Sequence, residues 1–271
     1  MTAPRPQPPE PPVIDAHCHV FHRAMPFTDT AWTRPDYDYR VETYLTELDA
    51  HGVSFGVLTA ASLYGDYNDY SLSVLARHKR LRATVMLDPE TGPAEMAALK
   101  AQGVCGIRYQ LPVAAALPDL TGYGFRRFIR RLADAGLHIE LNLSGAQLAA
   151  ILPALDDSGI AIVVDHFGLL RAEQGMEGEG FRAVLDAIDR GRTRVKLSAG
   201  FRLPEDAVAG YAERLIEVAG PERLFWGSDA PFVGFEGAVS YAQTLDLFYK
   251  IVPDARMRRR MSDAALRFYF F

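Results

Sequence analysis

The sequence predicts a single-domain α/β protein, a (β/α)8 barrel, and three observations carry that expectation. Eight short β-branched and apolar runs alternate with longer stretches whose apolar residues recur at helical spacing. Residues 13–271 come close to the ~250 residues typical of such a barrel. A doubly wound open sheet would want a glycine-rich phosphate turn after its first strand, and His17-Cys18-His19-Val20-Phe21 stands there instead.

The elements follow in order. Residues 1–12 hold six prolines, which forbid a helix or central strand and predict an extended polyproline-type arm outside the fold. The arm lacks the apolar stretch of a secretory signal. Strand runs then fall at 13–19, 53–59, 81–87, 104–109, 137–143, 160–165, 194–198 and 224–228. Between them lie helical patterns such as Phe125/Phe128/Ile129/Leu132, Leu148/Ile151/Leu152/Leu155 and Phe181/Val184/Leu185/Ile188. Gly52, Gly103, Gly136 and Gly159 stand where helices end in a left-handed residue, and Pro93 and Pro204 open helices.

Composition narrows the function. The chain is 49% hydrophobic, enough for a full core, and a net charge of -5 removes the basic field that nucleic-acid binding needs. No apolar run approaches the roughly 18 residues of a membrane span, and two cysteines are too few for a disulfide scaffold. The expectation is a globular, cytoplasmic protein, a monomer or small homo-oligomer.

In this barrel, chemistry sits where the strands end. The first run closes Asp15-Ala16-His17-Cys18-His19, and period-2 alternation points both imidazoles one way and Cys18 the other, into the helix layer. The sixth closes Val164-Asp165-His166, a polar pair that is costly after an apolar run unless it faces the mouth. The eighth closes Trp226-Gly227-Ser228-Asp229, beside the first strand, where Asp229 suits a metal ligand, a general base or an orienter of histidine. Arg108, Arg202 and Lys196 bring positive charge to the same rim. Each alone fits a structural ion pair as well as a substrate contact, and together they point to an acidic substrate. Tyr64 and Asn68 are further pocket candidates. The arginine runs 126/127/130/131 and 256/258/259/260 read as solvated helix faces. The long connection 20–39, with His22, Arg23, Trp32, Arg34 and Tyr37, reads as a partial lid or a subunit contact.

Taken together, the motifs Asp15-Ala16-His17-Cys18-His19-Val20-Phe21, Gly106-Ile107-Arg108, Val164-Asp165-His166-Phe167-Gly168, Val195-Lys196-Leu197-Ser198 and Trp226-Gly227-Ser228-Asp229-Ala230-Pro231 resemble the amidohydrolase superfamily. They are most similar to its amidohydrolase-related branch of dicarboxylate and sugar lactonases. The resemblance implies hydrolysis of a small, carboxylated lactone in aromatic or sugar-acid catabolism. It implies His17, His19 and His166 around the reacting carbonyl, directly or through a metal, with Asp229 as base and Arg108 and Arg202 on substrate. The alternatives are a zinc-dependent decarboxylase or other metal-dependent member and, last, a non-enzymatic scaffold. Two departures stand out. Asn142 closes the fifth run where a metal-binding histidine is expected, with His138 at the far end, so either no metal or one weakly held zinc is expected. Ala230-Pro231-Phe232 makes one pocket wall less polar than in the relatives. Asn142 is thus assigned to substrate.

Overall fold

The computed structural model describes residues 10–112, 115–156, 158–169 and 175–271. Eight strands, β1 (Ile14–Cys18), β2 (Phe55–Leu58), β3 (Leu81–Val85), β4 (Val104–Gln110), β5 (His138–Asn142), β6 (Ile162–Val164), β7 (Thr193–Leu197) and β8 (Leu224–Trp226), pair in parallel in sequence order. Helices α1 (Val41–Ala50), α2 (Asp69–Arg77), α3 (Pro93–Gln102), α4 (Tyr123–Asp134) and α5 (Gly145–Asp156) follow the first five strands. The short turn α6 (His166–Leu169), left-handed at His166, Phe167 and Gly168, and the helix α7 (Glu179–Asp189) follow β6, α8 (Glu205–Ala219) follows β7, and α9 (Tyr241–Ile251) and α10 (Ala255–Phe270) follow β8. This is the expected barrel. Among the described residues no helix is long and apolar enough to cross a membrane.

Each strand alternates. Outward residues such as Ile107, Ile139, Leu141 and Val195 join Leu132, Leu148 and Val184 of the helices in one apolar layer, which also holds Cys18 as expected. Gly52, Gly103, Gly136 and Gly159 have φ of 71°, 106°, 67° and 78°, conformations that end helices cheaply only in glycine. The end of α10 closes the bottom of the barrel, where Phe268 and Tyr269 pack on Phe225.

The barrel closes between β8 and β1. Asp229 N donates to His17 O, and His19 N to Ala230 O, both at 2.8 Å. Beneath them the buried Asp15 carboxylate accepts from Ser228 N (2.9 Å), Ser228 Oγ (2.7 Å), His17 N (3.1 Å) and Tyr241 Oη (3.1 Å).

Two expectations need correction. The proline-rich arm joins the fold before residue 13: Glu10 pairs with Arg259, and Pro11 covers Gly52, while residues 1–9 lie outside the described residues. Arg258 is not on a solvated face. It is buried and donates to the carbonyls of Val252 and Pro253, which end α9.

Closure depends on a glycine. A Cβ at Gly227 would lie 2.5 Å from His17 Cβ and 2.8 Å from His17 N. Gly227→Ala should therefore lower stability by about 1–3 kcal/mol, the usual range for overpacking, in urea denaturation. An unchanged midpoint would contradict this closure.

Candidate active site

The strand ends bring His17, His19, His166 and Asp229 together. Asp229 Oδ1 lies 3.5 Å from His17 Nε2, 3.4 Å from His19 Nε2 and 4.0 Å from His166 Nε2. Two of these residues turn into the mouth on left-handed backbone, His166 with φ 51° and Asp229 with φ 64°. Ala199 (54°) and Phe232 (66°) share that conformation on the same rim. Left-handed φ is costly for such residues, and such strain gathers at functional sites.

Each ring is held from behind. His19 Nδ1 donates to Thr59 O at 2.8 Å, so a neutral His19 presents a lone pair at Nε2. That lone pair faces the Asp229 carboxylate, and two acceptors 3.4 Å apart require a shared proton, a water or a cation between them. His166 Nδ1 lies 2.9 Å from Ser198 Oγ. His17 Nδ1 lies 3.2 Å from both the Lys196 ammonium and the Asp165 carboxylate. With Lys196 donating, Nε2 carries the ring hydrogen. With Asp165 accepting, Nε2 is a lone pair. This buried Nε2 has no hydrogen-bond partner in the protein.

Beneath the rings lies a layer of buried charge. Lys196 pairs with Glu140 and lies 3.5 Å from Asp165 Oδ1. Arg108 Nη2 and Nε lie 2.9 and 3.0 Å from Asp165 Oδ2, and Arg108 Nε lies 3.6 Å from Glu140 Oε1. Burial pushes the Asp165 carboxyl up, but Lys196, His17 and Arg108 outweigh it and hold it well below the usual range. Burial and then the Lys196 ammonium hold His17 well below the usual imidazole range, against Asp165, so the ring is neutral at pH 7. Burial lowers His166 as well. Burial raises Asp229, yet His166, His19 and His17 outweigh it and keep it a carboxylate. With His17 and His166 neutral, the full charge in contact with Asp229 is the Arg202 guanidinium, 3.2 Å from Oδ2.

The pocket above this floor has a volume of about 230 Å³ and is lined by His19, His166, Arg108, Asn142, Arg202 and Asp229. Phe21 and Trp32 of the expected lid also line it, with Gln110 and Val233. The other lid residues face elsewhere: His22 packs on Tyr70, Arg23 pairs with Asp38, Arg34 lies over Phe27, and Tyr37 Oη bonds Glu236.

Three assignments change. Lys196 is fully buried under the pocket and is paired there, so it does not line the substrate space. Asn68 is a structural link, bonding Met86 O at 2.8 Å and Met86 N at 3.2 Å. Tyr64 is buried against Phe21 and Phe27 behind the pocket wall. Arg108 reaches the pocket, but its nitrogens are committed to Asp165, Ala60 O and Gln110 Oε1. Arg202, two-thirds buried, holds Asp229 Oδ2 at 3.2 Å and Val233 O at 2.9 Å and keeps an open edge. Of the polar pair Asp165/His166, expected at the mouth, His166 lines the pocket and Asp165 lies in the charged floor; Glu140 was not expected in the site. The alternation His138/Glu140/Asn142 against Leu137/Ile139/Leu141 was the signal for Glu140.

His17, His19 and Asp229 could hold a metal ion. Their separations of 3.4 and 3.5 Å from the carboxylate are close to the roughly 3.3 Å between tetrahedral ligands at zinc distances. The unpartnered His17 Nε2 and the lone pair of His19 also suit one. The donor set fits.

Comparison with known proteins gives the family. The amidohydrolase family pattern matches residues 14–271. The 4-sulfomuconolactone hydrolase of Hydrogenophaga intermedia is 24% identical over 259 residues, covering 91% of this chain and 84% of that protein. The crystal structure of a candidate 2-pyrone-4,6-dicarboxylic acid hydrolase from Pseudomonas putida is 33% identical with a TM-score of 0.86, over 97% of this chain and 100% of that one. A candidate hydrolase of the same kind from Acinetobacter baumannii, with citric acid bound, has a TM-score of 0.90 at 26% identity, over 96% and 99% of the two chains.

The buried charge layer makes a direct prediction. Lys196→Met leaves Glu140 and Asp165 short of a cation and should cost about 3–5 kcal/mol in urea denaturation, as breaking a buried pair does. A loss below about 1 kcal/mol, the scale of an exposed pair, would show that the layer is not held by this lysine.

Proposed function

The chain belongs to the amidohydrolase family and has lactone hydrolases among its distant homologues; on that premise we propose that it opens a small, carboxylated lactone by attack of water on the ring carbonyl. The observation that carries the proposal is the unpartnered, buried His17 Nε2, aimed where His19, His166 and Asp229 converge. A carbonyl oxygen supplies the missing partner.

Asp229 enters as a carboxylate, with Oδ2 held by Arg202 and Oδ1 facing the rings. It takes a proton from water as the water oxygen bonds to the carbonyl carbon. The carbonyl oxygen gains charge and accepts N–H donation from His166 and, with Lys196 on its Nδ1, from His17. One such donor contributes roughly 2.7–4 kcal/mol to a tetrahedral transition state. As these donors turn to the oxyanion, their hold on Asp229 weakens, and its basicity rises as the proton arrives. The ring C–O bond then breaks, and Asp229 returns the proton to the departing alkoxide. The product is a hydroxy acid. A divalent metal bound by His17, His19 and Asp229 would supply Lewis acidity at the carbonyl and a lower pKa for a bound water.

The substrate's carboxylate belongs on Arg202, whose guanidinium is partly open to the pocket. Arginine binds carboxylate through paired N–H donors.

Asp229→Asn should lower kcat for lactone opening by about 10²–10⁴-fold while circular dichroism stays native, the usual contribution of a general base. Near wild-type turnover in the folded variant would remove Asp229 from the reaction. Arg202→Met should cut the preference for carboxylated over neutral lactones about tenfold, on the scale of one charge-assisted hydrogen bond. An unchanged preference would move the carboxylate to another group.

A further inference from the structure

A second chamber of about 510 Å³, more than twice the volume of the catalytic pocket, adjoins that pocket and shares Trp32, Ser62, Gln110 and Asn142 with it. With the reacting ring in the catalytic pocket, the larger chamber beside it has room for a further part of the same molecule. Its remaining walls are Thr28, Thr30 and Gly65 on one side, with Met86, Leu111, Pro112 and Ser144 on the other. Among the described residues that line it there is no lysine, arginine, histidine, aspartate or glutamate.

The cations nearby do not serve this chamber. Arg108 is tied to Asp165 in the floor, and Arg202 lines the catalytic pocket and not this chamber, and there it holds Asp229. A carboxylate carried into the chamber would lose water and find no counter-charge, which is costly. The walls instead offer an indole, a thioether and a proline ring, interleaved with hydroxyls and amides. Gln110 gives its Oε1 to Arg108, which leaves its amide N–H groups as donors. Mostly apolar walls with a few placed polar groups are the usual make-up of a small-molecule site.

We propose that the substrate carries one carboxylate, on Arg202, and an uncharged arm that lies in this chamber. The arm is apolar or hydroxylated, and a lactone with a second carboxylate at the arm's end is discriminated against. This rests on the lactonase reading for the position of the ring.

Binding tests it without turnover. Three lactams, ring analogues that resist hydrolysis, would carry the same ring carboxylate: one without an arm, one with a neutral hydroxyalkyl arm, and one whose arm of equal length ends in a carboxylate. Titration calorimetry on the wild-type protein should place the neutral arm at least tenfold tighter than either of the others. Met86→Arg, which brings a cation into the chamber, should reverse the order of the two arms, with the ratio read within the variant so that any general weakening cancels. Equal or tighter binding of the carboxylate arm by the wild-type protein overturns the proposal, as does equal binding with and without the neutral arm. The wild-type comparison decides the matter if the variant fails to fold. Turnover of the parent lactones is measured separately: if none is opened but the binding order holds, the reaction is wrong and the chamber assignment stands.

Discussion

The Asp15 carboxylate accepts hydrogen bonds from both strands at the seam of the barrel, and the positions of His17, His19 and Asp229 follow from it. Ser228 N and Oγ come from the segment after β8, His17 N from β1, and Tyr241 Oη from α9. Burial raises this carboxyl against those four bonds. Two residues further along both strands, His17 O and Ala230 O accept from Asp229 N and His19 N. The seam therefore sets the distance between the imidazole pair and the aspartate by backbone hydrogen bonds, and Gly227 permits it by having no side chain against His17.

The second constraint lies one layer down. Barrels of this kind are usually filled by branched apolar side chains, yet here Lys196, Arg108, Glu140 and Asp165 fill the level beneath the histidines. Two cations balance two anions. A layer of this sort adds little net stability, because desolvation offsets the attraction. Its value is directional: it holds Asp165 ionised, keeps His17 neutral and leaves the same nitrogen of His17 open to a donor or an acceptor. One ring can thus serve a carbonyl oxygen as N–H donor or a cation as ligand.

The barrel was legible because strand and helix periods alternate cleanly and glycines mark the helix ends. His17, His19, His166 and Asp229 were legible because polar residues closing apolar runs have few inert explanations. Lys196 was placed too high, since it lies two residues before the run ends and points to the inside of the barrel, beneath the rim. Glu140 was masked by the hydrophobic residues that alternate with it, whereas Asp165 was visible as a polar residue closing Ile162-Val163-Val164 but its depth below the rim was not. Left-handed backbone at His166 and Asp229 has no sequence mark, because neither is glycine. The second chamber was beyond reach for a different reason. Thr28, Gly65, Leu111 and Ser144 come from separate connections, and only the closed barrel brings them together.

In the proposed reaction Asp229 acts on a water and does not bond to the substrate itself. A single turnover in ¹⁸O-labelled water, with enzyme in excess over an opened lactone, reads this directly by mass spectrometry. One labelled oxygen in the new carboxylate of the product, with an unlabelled Asp229 peptide, is the predicted result. An unlabelled first product with label retained on Asp229, or label in the released hydroxyl, would contradict it.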